Sequence, residues 1–117
     1  MFSTLQGIPI PLLLLLATVL EVSADAIVRL GIYQHTGIVR LAHFLVGAAL
    51  LFGYAGLVNT APVGFDRIVG LYIATLFVVW QSISFLTFKT MPGAPILLGG
   101  VLIITGGLII TFWRPAA

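Results

Sequence analysis

The stretch "LLLLLATVLEVSADAIVRLG", residues 12–31, decides the fold, because it is long and apolar enough to cross a lipid bilayer. A spanning helix needs about 20 mostly apolar residues, since the hydrocarbon core is about 30 Å thick and each residue rises about 1.5 Å. The second half of this stretch nevertheless carries Glu21, Asp25 and Arg29. At this spacing all three fall on one face of a helix, so the segment is both a membrane span and a candidate functional element.

The composition of the whole chain indicates a membrane protein. Of its 117 residues, 61% are hydrophobic and only 7% are charged, whereas soluble domains carry about a quarter charged residues. The absence of cysteine excludes a disulfide framework and Cys-ligated metals. Five basic residues against three acidic ones are too few for a nucleic-acid surface. We therefore expect a single domain over residues 1–117 in contact with the lipid bilayer, without a cofactor or metal and without nucleic acid as a partner.

Four segments meet the length and apolarity required of a span, and the links between them are short. They are predicted at about 11–30, 39–59, 65–88 and 94–113. The first is expected to be retained as a helix, because no Lys or Arg precedes it and no small-residue cleavage site follows it. Short links make neighbouring spans antiparallel, which predicts an all-α membrane protein of four transmembrane helices. Since no link could house an extramembrane active site, any chemistry must lie among the helices, and we do not expect an enzyme.

The basic residues are divided almost evenly between the two sides of the membrane. Arg67 and Arg114 fall on one predicted side, and Arg29, Arg40 and Lys89 on the other. Lys and Arg placement normally sets the orientation of a membrane protein. Two readings follow: a partner or the N-terminal amine orients the chain, or the chain inserts both ways and pairs with its own inverted copy.

Glu21 is the residue hardest to explain by packing alone. It lies near the bilayer midplane, where a charged side chain costs about 2.5–3.5 kcal/mol on insertion scales. Arg29 is about 12 Å away along the axis, too far to be its partner. Either a protonated Glu21 bonds a hydroxyl on another helix as interhelical glue, or it faces a cavity and exchanges a proton for a cationic ligand.

The other two ionisable groups within the first two spans have simpler explanations. Asp25 can form an ion pair with Arg29 across one helical turn or accept a hydrogen bond from an N–H or O–H group near the membrane edge, which leaves direct ligand binding as the minor alternative. His43, early in the second span, is expected to be a hydrogen-bonded residue near the membrane interface rather than a proton relay. The spacing of these side chains matches no metal-site pattern.

Several motifs resemble those of the small multidrug resistance family, the four-helix members of the drug/metabolite transporter superfamily. "ATVLEVSADAIVRLG", residues 17–31, matches the family's membrane glutamate followed by valine and, eight positions after the acid, by a basic residue. The link "VNTAPVG", residues 58–64, contains the family's proline. The closing helix "APILLGGVLIITGGLIITFW", residues 94–113, has glycine pairs seven residues apart, a spacing that permits close helix contact. In this resemblance the helix–helix interface of a homodimer would use Gly99, Gly100, Gly106 and Gly107.

The third span departs from the family. "GFDRIVGLYIATLF", residues 64–77, has Gly70 where the family has a tryptophan, and it lacks the family's Gly-x-Gly. Tyr54, Tyr72 and Trp80 are candidates for cation–π contacts with a ligand if they face the same cavity as Glu21.

The resemblance implies a proton-coupled exporter of small organic cations in the inner (plasma) membrane, with Glu21 as the main proton and substrate site. It implies a homodimer, antiparallel if the chain inserts both ways, or a heterodimer with a paralogue. Two alternatives remain open at this point. The chain could be a non-transporting accessory subunit that kept the scaffold, or a flippase-like transporter of lipids or polar metabolites.

Overall fold

The computed structural model describes residues 7–113 and contains four α-helices within that range. We label them α1 (Ile10–Gln34), α2 (Gly37–Thr60), α3 (Phe65–Phe88) and α4 (Ala94–Phe112). All four are long and apolar enough to cross a membrane. The predicted all-α fold of four membrane-spanning helices is confirmed, and the chain is a multi-pass membrane protein.

Short links set the helix ends. α1 continues one turn beyond its expected end at Leu30, because nothing in "GIYQ", residues 31–34, breaks a helix. Only two residues separate α1 from α2, and residues 61–64 and 89–93 form the other links. α1 and α4 have a proline in their first turn, where the missing N–H has no intrahelical partner to lose. Arg114, placed by the sequence near the membrane interface, lies outside the described residues.

The helices form an open row rather than a closed bundle. The most extensive contacts join α1 to α2, α3 to α4, and α1 to α3. This gives the spatial order α2–α1–α3–α4, and the Cα trace is correspondingly thin, at 56 × 42 × 18 Å. α1 is the central element and supplies most of the buried side chains, including Leu13, Leu14 and Ala17. α4 buries only two glycines.

Glycines allow the closest helix contacts. A Cβ atom built on Gly47 of α2 would lie 2.5 Å from Val28 Cγ2 of α1. In the other hairpin, Gly100 packs against the Phe77 ring, and a Cβ on Gly107 would lie 2.6 Å from the Gly70 carbonyl oxygen. Because lipid tails are as apolar as the side chains, helix association in a membrane relies on such close packing.

The glycine pairs of α4 divide into two faces. Gly100 and Gly107 contact α3 within the chain, so they serve the hairpin. At Gly99 and Gly106 a Cβ would meet no atom within 4 Å. The expected dimer role of the four glycines stays a prediction, and of these four only Gly99 and Gly106 leave a close-packing face open.

Two arginines cap helix C-termini across the hairpins. Arg40 of α2 donates from Nε to the carbonyl oxygens of Gly31 and His35, at 3.0 and 3.1 Å, and from Nη2 to Ile32 O at 3.1 Å. Arg67 of α3 donates from Nη2 to two last-turn carbonyls of α4, Ile110 O at 3.0 Å and Thr111 O at 3.1 Å. The last carbonyls of a helix lack intrahelical donors and carry the negative end of its dipole, so a guanidinium stabilises them doubly.

We expect Gly107→Ala to lower the free energy of unfolding by about 1–3 kcal/mol, because the added methyl group would overpack the α3–α4 contact. Gly106→Ala is the matched control, since its Cβ meets no atom within 4 Å and alanine is favoured over glycine in a helix by about 1 kcal/mol. Unfolding in mixed detergent micelles, followed by far-UV circular dichroism, measures both variants. Equal stabilities of the two would contradict this packing.

Candidate functional site

The two packing faces of α1 locate its acidic residues. Leu20, Ala24, Val28 and Gly31 are the α1 positions that lie at the glycine contacts with α2. Val22, Ala26 and Arg29 line a pocket together with α3 residues. Successive residues of an α-helix are rotated by about 100°. Glu21 therefore lies between the face toward α2 and the face toward α3, and Asp25, which also lines the pocket, lies at the edge of the face toward α3.

Glu21 is half-buried, and its carboxyl group is incompletely satisfied. Its Oε2 atom is inaccessible to solvent and has no hydrogen-bond partner among residues 7–113. A buried polar atom without a partner costs about 1–3 kcal/mol or more. The interhelical hydrogen bond expected of a purely structural glutamate is therefore not present at this oxygen. Such an atom is suited to bind a proton, a water molecule or a ligand.

Two tyrosines from α2 and α3 meet beside this part of α1. The Tyr54 and Tyr72 rings lie 5.7 Å apart, centroid to centroid, and are tilted by 43°. Tyr72 packs in the core cluster with Ala17, one helical turn before Glu21, and with Leu14, two turns before it. Its hydroxyl is also buried without a partner in the described part of the chain. α1 and α3 thus each contribute one buried, unsatisfied polar atom.

A pocket of about 410 Å³ lies between the C-terminal halves of α1 and α3. Its lining includes Asp25 and Arg29 from α1, Trp80 and Ser84 from α3, and Thr90 from the link that follows. Glu21 is not part of this lining and lies one turn closer to the start of α1. Trp80 also borders a second, smaller pocket of about 190 Å³ between α3 and α4.

The expected ion pair between Asp25 and Arg29 is not formed in the described structure. Within residues 7–113, no Asp25 oxygen lies within 4.0 Å of an Arg29 nitrogen. The Arg29 guanidinium carbon lies instead 4.9 Å from the centroid of the Tyr33 ring and 5.9 Å from that of Phe88. A guanidinium over aromatic faces is stabilised by about 0.5–2 kcal/mol, comparable with or greater than an exposed i,i+4 ion pair. Tyr33 lies four residues after Arg29 but beyond the expected end of the first span at Leu30, and Phe88 comes from another helix.

His43 lies in the second turn of α2, beside the end of α1, and is not part of the pocket. Its ring stacks on His35 with centroids 4.4 Å apart, and its Nδ1 is 2.8 Å from Val39 O, a hydrogen bond when Nδ1 carries a proton. Its Cβ faces Gly31, six residues or about 9 Å along the axis from Asp25. His43 thus lies toward the same membrane surface as Asp25, as the sequence spacing predicted, but outside the pocket that Asp25 lines.

The structure therefore groups the candidate residues into two adjacent sets. The first is Glu21 with the tyrosine pair Tyr54 and Tyr72, and the second is the pocket of Asp25, Arg29 and Trp80. Sequence reasoning did not identify Ser84 or Thr90 as lining residues, because isolated hydroxyls in an apolar span carry no motif. No group of three or more His, Cys, Asp or Glu side chains suited to a metal occurs among residues 7–113.

Comparisons of the chain with protein-family models, with curated proteins and with solved structures found no match.

We expect Glu21→Gln to change the free energy of unfolding by less than about 0.5 kcal/mol, because Oε2 makes no hydrogen bond that the substitution would break. Arg67→Gln is the contrasting variant, since it removes two hydrogen bonds to α4 carbonyls and should cost about 1–3 kcal/mol. Unfolding in mixed micelles compares the two. A loss of 1 kcal/mol or more in Glu21→Gln would show that Glu21 is structural glue.

Proposed function

We propose that the chain is a proton-coupled exporter of small organic cations in the inner (plasma) membrane, similar to the small multidrug resistance family. The observation that carries the proposal is the buried Glu21 Oε2 atom, which has no hydrogen-bond partner in the described part of the chain. A carboxyl group within the membrane is costly in its charged form, and it persists there chiefly where it serves transport or proton movement.

The exchange follows from competition for one carboxylate. A proton neutralises Glu21, and so does a bound organic cation, so the two ligands exclude each other. Loading of the cation releases a proton, and reprotonation from the other side of the membrane releases the cation. The ring faces of Tyr54 and Tyr72 offer cation–π surface next to the carboxylate.

A second copy of the chain would complete the transporter. A single copy leaves the helices in an open row, with the Gly99 and Gly106 face of α4 uncovered. Pairing through this face would place two Glu21 carboxyls in one assembly. The near-even division of basic residues between the two sides supports an inverted arrangement of the pair.

We expect purified protein in weakly buffered detergent solution to release protons when tetraethylammonium or guanidinium is added. Glu21→Gln should abolish this release, because the amide cannot exchange a proton. Asp66→Asn is the matched control, since it removes an exposed carboxyl in the first turn of α3, outside the proposed site. Release measured with a pH-sensitive dye that is unchanged in Glu21→Gln would refute the proposal.

A further inference from the structure

The three arginines within residues 7–113 differ in what their guanidinium groups contact. Arg40 and Arg67 donate hydrogen bonds to helix C-terminal carbonyls. Arg29 donates none within the described chain, and its guanidinium is held between the Tyr33 and Phe88 rings. Ring faces orient a guanidinium without using its N–H donors. Arg29 is therefore a positioned cation whose donors remain available to a ligand.

Asp25 presents the opposite charge to the same space. It lines the 410 Å³ pocket with Arg29, yet the two side chains form no ion pair in the described structure. Ser84 contributes a hydroxyl group to the same lining. Polar groups within the membrane are tolerated where they line a water-filled cavity or bind a ligand. This pocket thus presents a carboxylate, a guanidinium and a hydroxyl to a ligand.

The two charges lie at different depths. Asp25 is one helical turn, about 6 Å, closer to the bilayer midplane than Arg29. Thr90 belongs to the link between α3 and α4, which places the Arg29 end of the pocket at the membrane surface. Trp80, one turn before Ser84 along α3, lies toward the Asp25 end and offers a ring face to a cation. A ligand would therefore bind with its positive group inside and its negative group at the rim.

We propose that this pocket binds a soluble zwitterion, an amino acid whose ammonium and carboxylate groups are about 4–6 Å apart, matching one helical turn. The ammonium group meets Asp25 and the Trp80 ring, and the carboxylate accepts hydrogen bonds from the Arg29 guanidinium. A guanidinium binds a carboxylate through two parallel N–H donors. The inference goes beyond the proposed cation exchange at Glu21, because this pocket lies one helical turn further along α1 and does not include Glu21.

The order of charges favours a soluble molecule over a lipid headgroup. In a zwitterionic phospholipid the phosphate is attached to the glycerol backbone, so it lies deeper than the ammonium group. The pocket has the reverse order, with the carboxylate of Asp25 deeper than the guanidinium of Arg29. A soluble amino acid that enters the pocket with its ammonium group first places that group at Asp25 and its carboxylate at Arg29.

The test compares γ-aminobutyrate with butylamine, which lacks the carboxylate, using isothermal calorimetry on the full chain in phosphatidylglycerol nanodiscs at constant pH. We expect Arg29→Gln to weaken γ-aminobutyrate binding about 10- to 100-fold, the usual effect of losing charge-assisted hydrogen bonds. The same variant should change butylamine affinity less than about threefold. Lys89→Gln removes an exposed cation near the same membrane surface, is not part of the pocket, and should alter neither affinity.

An equal loss of affinity for γ-aminobutyrate and for butylamine in Arg29→Gln would overturn the inference. So would the absence of measurable γ-aminobutyrate binding to the unmodified chain. Loss of γ-aminobutyrate binding when phosphatidylethanolamine is added to the nanodiscs would assign the pocket to a lipid headgroup instead. These readouts are independent of proton release. Failure of cation-coupled release with an intact Arg29 effect would refute the exporter proposal but leave the zwitterion site standing.

Discussion

Lipid cannot form hydrogen bonds, and the arrangement of polar groups in this chain follows from that constraint. Helical structure satisfies most of the backbone internally, and Arg40 and Arg67 supply donors to the last carbonyls of α1 and α4. After these groups are satisfied, the unsatisfied polar atoms are concentrated along one helix and its neighbours. Within residues 7–113, Glu21 and Tyr72 have buried atoms without hydrogen-bond partners, and Asp25 and Arg29 line one pocket without forming an ion pair. These polar groups make up the candidate site.

Close approach of backbones takes the place of a hydrophobic driving force. The Val28 side chain packs against Gly47, the Phe77 ring packs against Gly100, and Gly107 contacts the backbone of Gly70. Each contact joins two helices of one hairpin, so the small residues hold α1 to α2 and α3 to α4. The contact between α1 and α3 is less extensive than either. The pocket lies at that same contact, where packing leaves space.

The span pattern could be read from the sequence, because twenty apolar residues and short links allow few other structures in lipid. The position of Glu21 near the middle of α1 also follows from counting residues. The contact between Arg29 and Phe88 could not be predicted from the sequence, because Phe88 lies almost sixty positions later in the chain, on another helix. The division of the α4 glycines between an occupied and an open face likewise depends on the rotation of α4 against α3. Periodicity gives the faces of a helix, but neighbouring helices decide which face is used.

The arginine caps have a mechanical consequence. Each guanidinium ties the first turn of one helix to the last turn of its antiparallel neighbour, Arg40 at one membrane surface and Arg67 at the other. A sliding movement within either hairpin would break these hydrogen bonds and the glycine contacts together. Displacement of one hairpin past the other breaks neither. The arginine caps and the glycine contacts therefore make each hairpin a unit, and the α1–α3 boundary that holds the pocket is one that they do not cross.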